Sequence, residues 1–258
     1  MHTPAYGMVV SVFDAHLHII DPRFPLIEND GFLPEPFTIA DYRKRVRGYG
    51  ITGGAVVSGS FQGTDQSFLV AALAELGEGW VGVTNLDPDA TDDDILELDR
   101  AGVRAMRFNL RRRLADIELL THQARRANEL VGWHAELYVD GGLLASLEPV
   151  LSRLPAVSID HLGIAAESLP FLLNLVDRGV RVKAAGFGRV DLDVPDALRR
   201  IHAVNPHALM FGTDLPGTRA ERSFEPKDLV TITDAVGFDL DDVVSTNARR
   251  FYRIDGKP

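Results

Sequence analysis

The chain has 258 residues, 45% hydrophobic and 25% charged, the proportions of an ordinary globular protein. With Lys+Arg 27 against Asp+Glu 37, the net charge is -10, which argues against nucleic acid or an anionic membrane as partner. Cys 0 excludes disulfides and thiolate metal sites. No secretory leader pattern or apolar run of spanning length is seen, so a cytoplasmic location is expected.

In chain order, the first element is the apolar run from Val9, closing in Asp14-Ala15-His16-Leu17-His18. Alternate residues of a strand share a face, so His16 and His18 are expected on one side, with Asp14 beside them. The stretch from Ile19 to Pro36 is rich in proline and turn residues and predicts a long loop, placed to act as a flap. Thr38 and Asp41 form a capping signal for a helix over Ile39 to Tyr49.

A regular rhythm follows. Strands are predicted at 53–58, 81–86, 102–108, 133–139, 156–161, 180–184 and 208–214. Between and after them, helices are predicted at 65–76, 92–100, 116–131, 143–153, 169–178, 196–203, 227–235 and 241–245. Counting from Val9, eight strands alternate with helical pattern, which reads as a single (β/α)8 TIM barrel of class α/β spanning 1–258. An open doubly wound sheet competes, but it usually has a glycine-rich turn after its first strand, where this chain has His-x-His.

Polar groups that end apolar strands gather at the face where barrels build active sites. Here they include His16, His18, Ser60, Arg107, Glu136, Tyr138, Asp160, His161, Lys183 and Asp214. Asp214 ends the last strand, next to the first in a closed barrel, so it should face His16 and His18. Two imidazoles and a carboxylate offer three ligands to a divalent metal with an open water position. Without a metal, the same set is a carboxylate base oriented by histidines. Arg107, the run Arg111 to Arg113, and Arg189 are out of character for so acidic a chain. Guanidinium forks bind carboxylates, so a small carboxylated substrate is implied. The competing reading is a solvated basic loop paired with Asp116 and Glu118.

Five segments stand in register: Phe13-Asp14-Ala15-His16-Leu17-His18, Ser60-Phe61-Gln62-Gly63-Thr64-Asp65, Gly102 to Leu110, Ile159-Asp160-His161-Leu162-Gly163 and Gly212-Thr213-Asp214-Leu215-Pro216. Together with Thr246 to Tyr252 at the end, they resemble the amidohydrolase superfamily, and within it the branch of 2-pyrone-4,6-dicarboxylate lactonase and related lactonases. The resemblance implies a barrel hydrolase in which Asp214 activates water against a carbonyl, with His161, His16 and His18 beside it. It implies substrate contacts from Arg107, Arg113, Arg189, Ser60 and Tyr138.

Many metal-binding relatives have histidine where this chain has Tyr138, a poor zinc ligand at neutral pH, which tilts the expectation toward a metal-free or weakly metallated site. If a divalent metal is held, zinc or manganese on His16, His18 and Asp214 is implied. A metal-dependent amidohydrolase or decarboxylase, and a non-catalytic binding protein on the same barrel, are the alternatives. The chain departs from the lactonase pattern at Ile164, Gly217 and Phe32, and Arg219 or Arg222 is the candidate to replace a lost cation.

Overall fold

The computed structural model describes residues 11–29, 31–110, 117–139 and 141–254. Eight strands form one parallel sheet in chain order: β1 (Val12–Leu17), β2 (Ile51–Val57), β3 (Trp80–Thr84), β4 (Val103–Asn109), β5 (His134–Tyr138), β6 (Val157–Ile159), β7 (Arg181–Ala184) and β8 (Leu209–Phe211). Just past β8, Leu215 bridges Leu17 in parallel, and two backbone bonds join the same segments: His18 N–H to the Leu215 carbonyl, 2.8 Å, and Asp214 N–H to the His16 carbonyl, 2.7 Å. The ends of the sheet meet, which makes the (β/α)8 TIM barrel that the alternation predicts.

The helices are α1 (Ile39–Arg45), α2 (Ser67–Leu76), α3 (Asp92–Arg100), α4 (Ile117–Val131), α5 (Gly141–Leu151), α6 (Leu169–Asp177), α7 (Val194–Val204), α8 (Pro226–Val236) and α9 (Asn247–Phe251). α1 begins at the predicted cap, where the Thr38 side chain accepts from Asp41 N–H and the Asp41 side chain accepts from Thr38 N–H. It ends at Arg45 rather than Tyr49, because a turn closed by Tyr49 N–H on the Val46 carbonyl leads into β2. The predicted helix 241–245 is a π-helical turn, Asp242–Thr246, that runs into α9. No helix among the described residues is long and apolar enough to cross a membrane.

Inside the barrel, Phe13, Ala15, Ala55, Val57, Val83 and Met210 pack together, with Tyr252 from the chain end among them. Larger aliphatic residues fill the layer between sheet and helices. Inward positions thus change from apolar low in the barrel to polar at the top. On β5 one inward row reads His134, Glu136, Tyr138, all buried.

Asp14 breaks the expected alternation. Asp14 pairs with Gly54 and Leu17 with Val56, so three steps along β1 match two along β2, a bulge of one residue. That extra residue turns Asp14 outward, toward α1, and returns His16 and His18 to the inside. Asp14 is therefore no part of the pocket. Its carboxylate accepts from the Tyr42 hydroxyl (2.8 Å), Thr213 N–H (2.8 Å), the Thr213 hydroxyl (2.6 Å) and His16 N–H (3.1 Å). Burial raises its pKa to about 6, against the lowering pull of these bonds. Asp14 thus pins β1, α1 and the segment after β8 together.

Removing this acceptor leaves four buried donors unpaired. Asp14→Ala is expected to lower the unfolding free energy by about 3–5 kcal/mol. Urea unfolding of both proteins measures it; a loss below about 1 kcal/mol would show the pin to be dispensable.

Candidate active site

The bulge in β1 and the short β8 bring the expected site residues together. Strands β6 and β8 stop earlier than predicted, at Ile159 and Phe211, so His161 and Asp214 lie just beyond them rather than on them. Both take left-handed backbone conformations, φ 52° at His161 and 57° at Asp214. Such conformations cost about 1–3 kcal/mol each and persist where surrounding bonds over-determine them. Here they swing both side chains back over the barrel mouth.

Asp214 is buried and its two oxygens differ. Oδ2 accepts from Arg189, with Nε at 2.7 Å and Nη2 closer still. Oδ1 has no hydrogen-bond partner among the described residues. It faces three imidazole nitrogens: Nε2 of His16 at 3.7 Å, of His18 at 3.8 Å and of His161 at 3.9 Å. Those gaps are too long for direct hydrogen bonds and suit a small oxygen between them. Burial raises the Asp214 pKa, and the Arg189 charge restrains that rise.

The histidines are buried and neutral. Burial holds all three well below the usual imidazole range, and a cation adds to the effect for each: Lys183 for His16, Arg107 for His18, Arg189 for His161. His18 Nδ1 lies 2.7 Å from the Val57 carbonyl and His161 Nδ1 3.3 Å from the Ala185 carbonyl. A carbonyl only accepts, so these nitrogens hold the ring protons and Nε2 keeps a lone pair.

Arg107 is anchored by Asp160, with Nε at 3.2 Å and Nη2 at 3.0 Å, and by the Ser58 carbonyl at 3.2 Å. Its guanidinium lies 5.4 Å from the centre of the Tyr138 ring, which also meets His161 edge to face. Burial opposes ionisation of Asp160, but the charges around it, Lys183 and Arg107 among them, hold it well below the usual carboxylate range. Ser60 lines the same pocket and its hydroxyl accepts from the Asn29 side chain. Arg113 lies outside the described residues, as do Arg111 and Arg112.

The predicted flap is in place. Asn29 and Phe32, from the loop after β1, roof the pocket together with Arg219, from the loop after β8. Arg219 donates to the Asn29 carbonyl and lies 4.5 Å over the Phe32 ring. Of the two candidate replacement cations, Arg219 reaches the pocket, whereas Arg222 binds Asp228 at the start of α8. The pocket is partly open to solvent, and its volume among the described residues is about 40 Å³, room for water.

The amidohydrolase family model matches residues 13–254. The chain belongs to the amidohydrolase family. It is a hydrolase of that family by this match and by its relatives. The 2-pyrone-4,6-dicarboxylate hydrolase of Comamonas testosteroni is 26% identical over 243 residues, covering 83% of this chain and 79% of the relative. A 4-sulfomuconolactone hydrolase of Hydrogenophaga intermedia is 25% identical over 263 residues, covering 94% and 86%. Among solved structures, one from Acinetobacter baumannii assigned as a 2-pyrone-4,6-dicarboxylic acid hydrolase superposes with a TM-score of 0.81. It is 19% identical and covers 94% of this chain and 99% of that one, a likeness of fold.

Some residues at this amidohydrolase site carried little signal in the sequence. Asn29 and Thr218 are loop residues with no periodicity to mark them. Tyr252 enters the sequence reading only as the end of the segment Thr246 to Tyr252 that shares the family resemblance, yet its hydroxyl reaches inside the barrel to Glu136. Gly186 is the clearest omission: a Cβ there would sit 2.6 Å from His161 Nδ1 and 2.9 Å from Asp214 Oδ2, at a φ of +64°. Only glycine lets the loop after β7 approach both side chains so closely. Gly186→Ala should leave the protein folded but displace both groups, lowering kcat/KM about 10²-fold. A kinetic comparison at matched circular dichroism checks it, and unchanged kcat/KM would contradict it.

Proposed function

We propose that the protein hydrolyses the ring ester of a small carboxylated lactone. Asp214 carries the reading: one oxygen is held by Arg189, while the other has no hydrogen-bond partner among the described residues and faces three neutral imidazoles in a pocket lined by arginines. The relatives support the substrate class, since their names specify a pyrone dicarboxylate and a sulfomuconolactone.

In this reading a water molecule sits between Asp214 Oδ1 and the histidines. As its oxygen bonds to the lactone carbonyl carbon, its proton passes to Asp214. The raised affinity of Asp214 for a proton makes it a better base than an exposed aspartate. Negative charge gathers on the carbonyl oxygen, where an imidazole N–H and the nearby guanidinium groups meet it. A donor aimed at that oxygen is worth roughly 3 kcal/mol. The ring C–O bond then breaks, the departing oxygen takes the proton from Asp214, and the open-chain acid leaves. Arg107, with Arg113, would hold the substrate's carboxylate, and Ser60 and Tyr138 would border it. Arg189 orients the base and leaves Oδ1 to the water.

A divalent ion fits this site by distance but not by charge. Ligand atoms of His16, His161 and Asp214 lie within 4.8 Å of one another. Yet the three inward carboxylates each already pair with a buried cation: Glu136 with Lys183, Asp160 with Arg107, Asp214 with Arg189. A resident ion would add two uncompensated charges among buried side chains.

Ring opening of 2-pyrone-4,6-dicarboxylate and of muconolactones, followed by ultraviolet absorbance, tests the reading. Asp214→Asn is expected to lose about 10³-fold in kcat, and chelator-dialysed wild type to keep its rate. Wild-type turnover by Asp214→Asn on a lactone the parent opens, or activity that returns only with added zinc, would overturn it.

A further inference from the structure

Below the pocket lies a buried network that the reaction above does not use. Lys183, fully buried on β7, points into the barrel. Its ammonium contacts the Glu136 carboxylate, His16 Nδ1 at 3.2 Å and Asp160 Oδ1 at 3.6 Å. Glu136 is itself fixed from the far side, by His134 Nε2 at 3.0 Å and by the Tyr252 hydroxyl. Burial works against ionisation of Glu136, but Lys183 and His134 outweigh it and hold its carboxyl below the usual value. Lys183 therefore donates to two acceptors, the Glu136 carboxylate and His16 Nδ1, with Asp160 Oδ1 nearby as a further negative charge.

We propose that Lys183 is a positioning residue: by donating to His16 Nδ1 it holds the neutral ring with its proton on Nε2, aimed into the pocket. An ammonium has no lone pair, so Nδ1 must supply one, and the proton of a neutral imidazole then belongs on the other nitrogen. One contact pulls the other way. Nδ1 is also 3.4 Å from Asp160 Oδ1, which would favour a proton on Nδ1. That oxygen makes no hydrogen bond to the ring or to the ammonium, whereas the Lys183 Nζ to His16 Nδ1 contact, at 3.2 Å, has hydrogen-bonding geometry. A proton on Nδ1 would also set an N–H against the ammonium. The Lys183 contact decides the tautomer.

The consequence is a division of labour among three similar-looking histidines. His18 and His161 give their Nδ1 protons to backbone carbonyls and offer lone pairs at Nε2. His16 does the reverse. Its Nε2, buried and without a partner among the described residues, becomes the one imidazole N–H of the three turned toward Asp214 Oδ1. The use of that N–H as the donor to the carbonyl oxygen rests on the lactone reading, whereas the tautomer does not.

Long-range 1H–15N correlation spectra of protein labelled with 15N-histidine test the tautomer directly, with the His16 signals assigned by their loss in His16→Gln. In the wild type, His16 should show a protonated Nε2 and a lone-pair Nδ1, and His18 the opposite pattern. In Lys183→Met, His16 should move its proton to Nδ1, with kcat down about 10–100-fold and KM changed less than about threefold. Should that variant not fold, Lys183→Met with Glu136→Gln removes the ion pair as a unit and serves the same comparison. A wild-type His16 protonated at Nδ1, or a Lys183→Met spectrum that keeps the proton on Nε2, overturns the proposal. An Nε2-protonated His16 in a protein that opens no lactone would defeat the lactone reading and leave the role of Lys183 standing.

Discussion

The join between the first and last strands is the constraint on which everything else depends. A barrel closes only if its last strand finds its first in the right register, and here a single buried carboxylate fixes that register. Asp14 accepts from the backbone and hydroxyl of Thr213 across the join and from Tyr42 on α1. Gly212 completes the contact, since a Cβ there would come within 2.9 Å of His16. Asp214 is two residues beyond Gly212, and His16 and His18 follow the bulge. Holding the join therefore also sets the base against its imidazoles.

Above that join the barrel interior is organised as paired charges. Glu136, Asp160 and Asp214 each pair with a buried cation, Asp160 lying near Lys183 as well as Arg107, and the imidazoles among them stay uncharged. Isolated buried charges would cost several kcal/mol apiece, so the pairs are needed to keep these groups ionised away from water. At the pocket floor the arrangement leaves Asp214 Oδ1 and His16 Nε2 without a hydrogen-bond partner among the described residues, with Asp160 Oδ1 likewise unpaired beneath them. In a buried site such unpaired atoms are costly, and they mark where a water or substrate oxygen belongs. The roof of Asn29, Phe32 and Arg219 then explains how so polar a pocket is shielded.

Much of this is legible in the sequence, for reasons of periodicity. Apolar runs ending in polar residues mark the strands, and helical spacing between them marks the barrel; Thr38 with Asp41 marks the start of α1. His16, His18, Arg107, Tyr138, His161, Arg189 and Asp214 gather in or just beneath one pocket because strand ends converge at a barrel mouth. The bulge is not legible, because it follows from pairing with β2 and the join with β8 rather than from any local pattern. Strict alternation therefore puts Asp14 on the wrong face. The early ends of β6 and β8 are hidden for a similar reason: left-handed backbone at His161 and Asp214 is imposed by tertiary contacts. Arg189 reads as a substrate clamp in sequence, but its contact with Asp214 depends on the loop after β7 turning inward at Gly186.

The central claim is that a buried carboxylate, among neutral imidazoles, is the base. The pH dependence of kcat/KM on a lactone tests it most directly. Activity should fall on the acid side with a single apparent pKa above that of an ordinary aspartate, about 3.9, and the limb should vanish in the residual rate of Asp214→Asn. A rate that stays level down through the ordinary aspartate range, or an acid limb that persists unchanged in Asp214→Asn, would contradict it.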